Sequence, residues 1–143
     1  MRFQRANYLV SNKERALLLY RDILGMSLDF MKVSEKDSYS YDVFNIDESI
    51  AIEFALLSYQ DQPRVMALTI LGDGNLEKNP LPRRAAICIE VDDVDDAVSK
   101  CNENGFHCYG EDHLITHDGR EGKEVGILDD DGNLIVIYKI EKA

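Results

Sequence analysis

The sequence predicts an α+β fold: two β-α-β-β-β modules that form a curved mixed sheet around a cleft. Two observations carry this expectation. One pattern occurs twice: Arg84 to Gly105, RAAICIEVDDVDDAVSKCNENG, reads as a strand, a capped turn and a helix, and Arg5 to Gly25, RANYLVSNKERALLLYRDILG, reads the same way. Aligning Val10 with Val91 also brings Ala16 onto Ala97. Each copy is then followed by runs in which apolar and polar residues alternate, the period of hairpin strands. The expected organisation is a single domain of two modules, about 1–73 and 84–143, joined by a linker over 74–83.

In chain order, Phe3 to Val10 is the first strand, and Ser11 or Asn12 caps the helix after it. Ala16, Leu17, Tyr20, Ile23 and Leu24 form the inward stripe of that helix. Met26, Leu28 and Phe30 alternate with Ser27, Asp29 and Met31, a half-buried second strand. The polar run SEKDS interrupts the pattern. Tyr39, Tyr41 and Val43 then alternate with Ser40, Asp42 and Phe44, a short extra strand or an ordered insertion. Ile50, Ile52, Phe54 and Leu56 belong to the next strand, SYQDQP is a turn, and Val65 to Leu71 is a strand. GDGNLEKNPLP, Gly72 to Pro82, has the composition of a linker.

In the second copy Ile87, Ile89 and Val91 alternate with Ala86, Cys88 and Glu90. Asp92 or Asp93 caps the helix, and Asp95 and Asp96 oppose its dipole in the first turn. Val94, Ala97, Val98 and Cys101 make its apolar stripe, and Asn104 and Gly105 end it. Phe106 to Tyr109 is a short strand, and Glu111 to Gly119 a long polar loop. Val125 to Leu128 and Leu134 to Ile140 are strands joined by DDDGN, whose Asp-Gly step supplies the left-handed conformation of a hairpin turn.

Composition narrows the partners. The chain of 143 residues carries a net charge of −11, which argues against nucleic acid or an anionic membrane surface, since both need a basic patch. The three cysteines are scattered, without CxxC spacing, and read as reduced thiols of a cytoplasmic protein. MRFQRANYLV lacks the apolar core of a signal peptide, and no run approaches a membrane span.

The leading strands have unlike faces. Arg5, Asn7 and Leu9 oppose Ala6, Tyr8 and Val10; Ala86, Cys88 and Glu90 oppose Ile87, Ile89 and Val91. Small and polar side chains on one face of a central strand leave room for a ligand. Arg5, Asn7, Cys88 and Glu90 are therefore candidate ligand-binding residues. Cys88 is a candidate nucleophile too, weighed against inert packing. His113 and His117 lie four apart in the polar loop, with His107 nearby. Without helical periodicity there, His117 reads as a pocket-rim residue more than a metal ligand, and Arg120 as an anion or carbonyl contact on the same rim. The run DDVDD, Asp92 to Asp96, reads as helix capping rather than as a calcium loop.

These residues resemble a known family. LLLYRDILGM after the first strand, and IEVDDVDDAV followed by DDDGNLIVIYK, are similar to the vicinal oxygen chelate superfamily, which includes glyoxalase I, bleomycin-resistance proteins and extradiol dioxygenases. The resemblance extends from Arg5 to Lys139, and departs from the commoner turn at Asp130, where proline is usual. It implies a single divalent metal held by His, Gln or Glu from the leading and last strand of each module. The matching positions here are Arg5, Ala86 and Val136. For the first module's last strand, two registers are open: IAIEF gives Glu53, and VMALTIL, preferred on strand count and linker length, gives Thr69 or Ile70. At most one of four positions keeps a usable ligand, and one carboxylate does not hold a catalytic divalent ion against water. The expectation is a small-molecule binding protein of the glyoxalase and bleomycin-resistance type, with no cofactor and with Glu53 and Val136 among its ligand-binding positions. The alternatives are a metal-dependent lyase or dioxygenase with displaced ligands, a metal-free isomerase using Glu53 or Glu90 as base, and a dimeric interaction module. The family also implies a homodimer, because pairing covers exposed sheet edges.

Overall fold

The computed structural model describes residues 1–142. It divides into two compact units, the first from Met1 to Glu77 and the second from Lys78 on.

In the first unit, strand β1 (Ala6–Val10) leads into helix α1 (Lys13–Leu17). Asn12 is the cap: its side chain accepts the Arg15 N–H at 3.0 Å. The chain then widens into a π-helical segment, Leu18–Ile23. There the Leu24 N–H reaches back to the Leu19 carbonyl at 2.9 Å. The wider turn moves the inward stripe. Leu19 and Tyr20 are fully buried, while Ile23, expected inside on a 3.6-residue period, is only half-buried. Gly25 ends the helix at φ +86, where an L side chain would be strained.

Strand β2 (Ser27–Val33) runs antiparallel to β3 (Ile52–Tyr59). Leu28 faces Leu57 and Phe30 faces Leu56, so Asp29 is an extra, bulged residue. A one-residue bulge turns every later side chain to the other face. Phe30, expected on the buried face with Leu28, is 44% exposed as a result. The segment between β2 and β3 is not a strand. It holds a short helix, α2 (Tyr39–Val43), capped by the Ser38 side chain, which accepts the Ser40 N–H. The alternation of Tyr39, Tyr41 and Val43 has no partner strand to pair with, and Tyr41 alone of the three is buried. Strand β4 (Gln62–Leu71) follows β3 through a turn at Gln60 and Asp61, with Gln60 at φ 55. The sheet order is β1-β4-β3-β2, and β1 lies parallel to β4.

The register assigns the faces of this sheet. Glu53 pairs with Ile70 and shares its side with Val10, Ala55, Leu57 and Leu68. Lys13 of α1 binds Glu53 there at 3.1 Å, so this is the helix side. Asn7, Leu9, Ala67, Thr69, Leu71, Ile52 and Phe54 lie on the opposite side. At one end of that side Tyr41 packs with Ile52 and Leu71, flanked by Leu9, Ile46 and Ile50. The Tyr41 hydroxyl donates to the Ile50 carbonyl at 2.6 Å.

In the second unit, β5 (Ala86–Glu90) is followed by α3 (Val94–Glu103). Asp93 is its cap, accepting the Asp96 N–H at 3.0 Å, and Gly105 ends it at φ +80. Then come β6 (His107–Cys108), β7 (Asp112–Ile115), β8 (Glu121–Leu128) and β9 (Leu134–Lys142). The order is β5-β9-β8-β6, with β7 also on β8, and β5 parallel to β9. Ile89, Val125, Ile127, Ile135 and Ile137 are buried on the side of α3. On that side Lys123 reaches both carboxylate oxygens of Asp95 at 3.0 Å.

Most of the stretch expected as a polar loop is the hairpin β7–β8. Asp112 pairs with Glu124 and Ile115 with Glu121. Its ladder is made by backbone groups, so polar side chains on both faces do not oppose it. On its other side β8 packs closely on β9 at Gly122, where a Cβ would stand 2.0 Å from the Lys139 carbonyl oxygen. Asp129 organises the β8–β9 turn, its carboxylate accepting the N–H groups of Asp131 at 3.0 Å and Asn133 at 2.8 Å. The Asn79 amide donates to Asn133 Oδ1 at 2.8 Å. This residue of the expected linker is thus a built part of the second unit.

Candidate functional site

On the open side of the second sheet, register places Cys88 beside Val136 and Gly126, and Glu90 beside Tyr138 and Glu124. Cys88 and Glu90 are exposed, and the β8 and β9 residues are half-buried. Cys88, Glu90 and Val136 thus share one face, as the strand pattern predicts. Cys88 also differs from the other two thiols. Cys101 is fully buried, and burial, with the Cys108 thiol beside it, pushes its pKa up to about 12. Burial also raises Cys108.

Two residues without a role in the sequence reading lie on this face. Tyr109 donates its N–H to the Gly126 carbonyl at 2.9 Å. Its ring covers Gly126, with Cδ2 3.1 Å from where a Cβ would be. The His107 ring meets it edge-on at 4.8 Å between centroids. The Arg83 guanidinium stands 6.0 Å from the Tyr109 centroid, at the outer reach of a cation–π contact. The Nε of Arg83 is buried and has no hydrogen-bond partner among the described residues. Alternation could not reveal Arg83, which lies before β5. The one sequence signal is a cation close to a strand that shows a small-residue face.

On the side of the first sheet away from α1, where Ala67 and Thr69 are fully buried, Asn7 Oδ1 accepts the Thr69 hydroxyl at 2.9 Å. Arg5 stands just before β1, is exposed, and donates its Nε–H to the Arg64 carbonyl at 3.2 Å. Glu53 is not on this face; it lies on the helix side with Lys13. The register also fixes the first-module position. β4, the partner of β1, is the counterpart of β9, the partner of β5. Asn7 pairs with Ala67 as Cys88 pairs with Val136, so Ala67, rather than Thr69 or Ile70, occupies the equivalent place.

The β7–β8 hairpin engages the other candidates locally. Arg120 Nε lies 3.1 Å from Asp118 Oδ1, and the Thr116 hydroxyl bonds the same carboxylate. These contacts, Thr116 first, hold the Asp118 carboxyl below its ordinary pKa. His113 Nε2 lies 3.3 Å from Glu121 Oε1, and His117 is exposed in the turn. Among the described residues, no three His, Cys, Asp or Glu side chains gather so as to hold a metal ion. The four positions implied for a metal carry Arg5, Ala67, Ala86 and Val136. Three are aliphatic and one is a cation, so the set does not fit a divalent ion.

Comparison with known proteins gives a consistent result. The model of the Glyoxalase/Bleomycin resistance protein/Dioxygenase superfamily matches residues 2–137. A glyoxalase family protein from Bacillus cereus has a TM-score of 0.74 at 16% identity, over 98% of this chain and 94% of that one. Glyoxalase I of Leishmania major, a trypanothione-dependent enzyme, has 0.66 at 18% identity, over 97% and 86%. A glyoxylase/bleomycin resistance protein/dioxygenase domain from Frankia sp. EAN1pec has 0.67 at 12%, over 99% and 98%. At such identities the likeness is one of fold. No curated protein matches the sequence. No helix among the described residues is long and apolar enough to cross a membrane.

Proposed function

Because the chain belongs to the Glyoxalase/Bleomycin resistance protein/Dioxygenase superfamily, we propose that it binds a small molecule without the divalent metal that enzymes of this type use. One observation carries the reading: Arg5, Ala67, Ala86 and Val136 stand at the four implied ligand positions. Alkyl side chains donate no electron pair, and a guanidinium is a fixed cation with donors only. No Lewis-acid step is assigned to these residues. In the second unit Cys88, Glu90 and Val136 are the proposed ligand-facing residues, and in the first unit, taken by itself, Asn7 with Arg5 beside β1. Glu53 is left out because Lys13 engages it on the helix side.

Elemental analysis of the purified protein tests this directly. The expected result is no divalent metal near one equivalent per chain, before or after incubation with zinc, nickel, iron or manganese salts. One bound equivalent, lost on Glu53→Gln or His117→Gln, would overturn the reading.

A further inference from the structure

We propose that Arg83 and Tyr109 form an anchor for the carboxylate of an aromatic or otherwise flat apolar ligand on the open face of the second sheet. The inference rests on the small-molecule reading above and names the ligand's chemistry. It starts from an imbalance. A buried guanidinium N–H without a partner is costly, and a charge-assisted bond to a carboxylate is the strongest remedy available to it. Arg83 Nε is such a group. A carboxylate fits better than a carbonyl, because Nε and a terminal nitrogen of the same guanidinium present two parallel donors.

The surroundings select the rest of the ligand. Tyr109, an aromatic residue that is 43% exposed, offers a surface for that ligand. Its Cδ2 edge lies over Gly126, where the absence of a side chain leaves room for it, and Leu134 Cδ1 lies 3.6 Å from the same point. Leu134 and Val136, two residues apart on β9, continue the apolar floor toward Cys88. Glu90 and Glu124 occupy the row beyond, around Tyr138. Arg83 precedes the start of β5 and Glu90 ends it, so the face is cationic at one end and anionic at the other. A ligand with one carboxylate is thereby oriented, its charge toward Arg83 and its body across Tyr109 and Val136. A neutral isostere of the same shape gains the apolar contact but not the charge-assisted pair.

The test titrates naphthoate, and separately naphthamide, into the intact protein and follows proton–nitrogen correlation spectra. These resolve both backbone amides and the arginine Nε–H. Naphthoate is expected to shift the Arg83 Nε–H peak together with the Tyr109 and Gly126 amides. Naphthamide should bind about tenfold or more weakly. Arg83→Gln should abolish the preference for the carboxylate while leaving the remainder of the spectrum in place. Gly126→Val, which keeps Arg83 but drives a methyl group into the Tyr109 ring, should weaken naphthoate as well. Naphthoate shifts confined to other residues, or equal affinity for the two probes, would overturn the anchor and leave the metal-free reading standing. No perturbation at millimolar naphthoate would also overturn it. A stoichiometric metal would instead overturn the reading on which the anchor rests.

Discussion

Tyr41 is the sharpest test of how the segment between β2 and β3 is held. Its ring is 4% exposed and packs on Ile52 and Leu71, and its hydroxyl donates to the Ile50 carbonyl at 2.6 Å. Tyr41→Phe keeps the ring and strands that carbonyl, a loss of about 1–2 kcal/mol. Tyr41→Ala removes the ring as well and should cost about 3–5 kcal/mol, as truncated core aromatics do. The melting temperature converts these values and also reports on cooperativity. Unfolding entropy scales with the residues that melt together, so each kcal/mol lowers Tm by about 3 °C if the whole chain melts as one. The figure is about 6 °C if the first unit melts by itself. Differential scanning calorimetry with urea unfolding measures both quantities. Limited proteolysis between Ser34 and Ile50 should accelerate in the order wild type, Phe, Ala. A Phe variant within about 0.3 kcal/mol of wild type, with Ala no worse than Phe, would show that Tyr41 does not anchor the segment.

Three further outcomes are expected. Iodoacetamide at about pH 8 should modify Cys88 first, while Cys101, its pKa raised to about 12 by burial, reacts only after unfolding; peptide mapping reads this, and early labelling of Cys101 would contradict it. Gly122→Ala should cost about 3 kcal/mol or more, since its Cβ would meet the backbone of Lys139 and Ile140, whereas Gly110→Ala, with nothing within 4 Å, should be tolerated; chemical denaturation of the two variants separates them. Each sheet ends on two edge strands, so light scattering at micromolar concentration should give twice the mass of one chain, and the mass of a single chain would count against a homodimer.

Local chemistry was legible in the sequence wherever one short segment decides the outcome. Ser11 or Asn12 and Asp92 or Asp93 mark the helix starts, where Asn12 and Asp93 turn out to be the caps, and Asn104 and Gly105 mark the end of the second helix, because each acts on backbone groups within four residues. The duplication carried the topology, since two weak strand–helix patterns reinforce each other. What escaped depends on distant partners. The bulge at Asp29 is set by how β2 registers on β3, and no residue in β2 signals it. Strand β7, DHLI, is short and only half apolar, and it forms by pairing with β8. The position of Ala67 followed only from pairing with Asn7, and alternation alone left Glu53, Thr69 and Ile70 as rivals. Arg83 and Tyr109 meet across chain segments whose spacing carries no periodic signal.

The parallel pairing of each leading strand with the last strand of its unit has a consequence for solubility. Only five residues of β1 cover Met66 to Ile70 of β4, and only five of β5 cover Leu134 to Tyr138 of β9. The covered stretches, MALTI and LIVIY, hold neither a charge nor a proline. Segments of that kind, once their edges open, recruit further chains into cross-β stacks. Lys139 directly after LIVIY, and Glu141 beyond Ile140, act as gatekeepers, while MALTI runs straight into Leu71 with no charge before Asp73. A lifted β1 therefore exposes the less guarded edge, and aggregates grown under mild destabilisation should have 66–70 rather than 134–138 in their protease-resistant core.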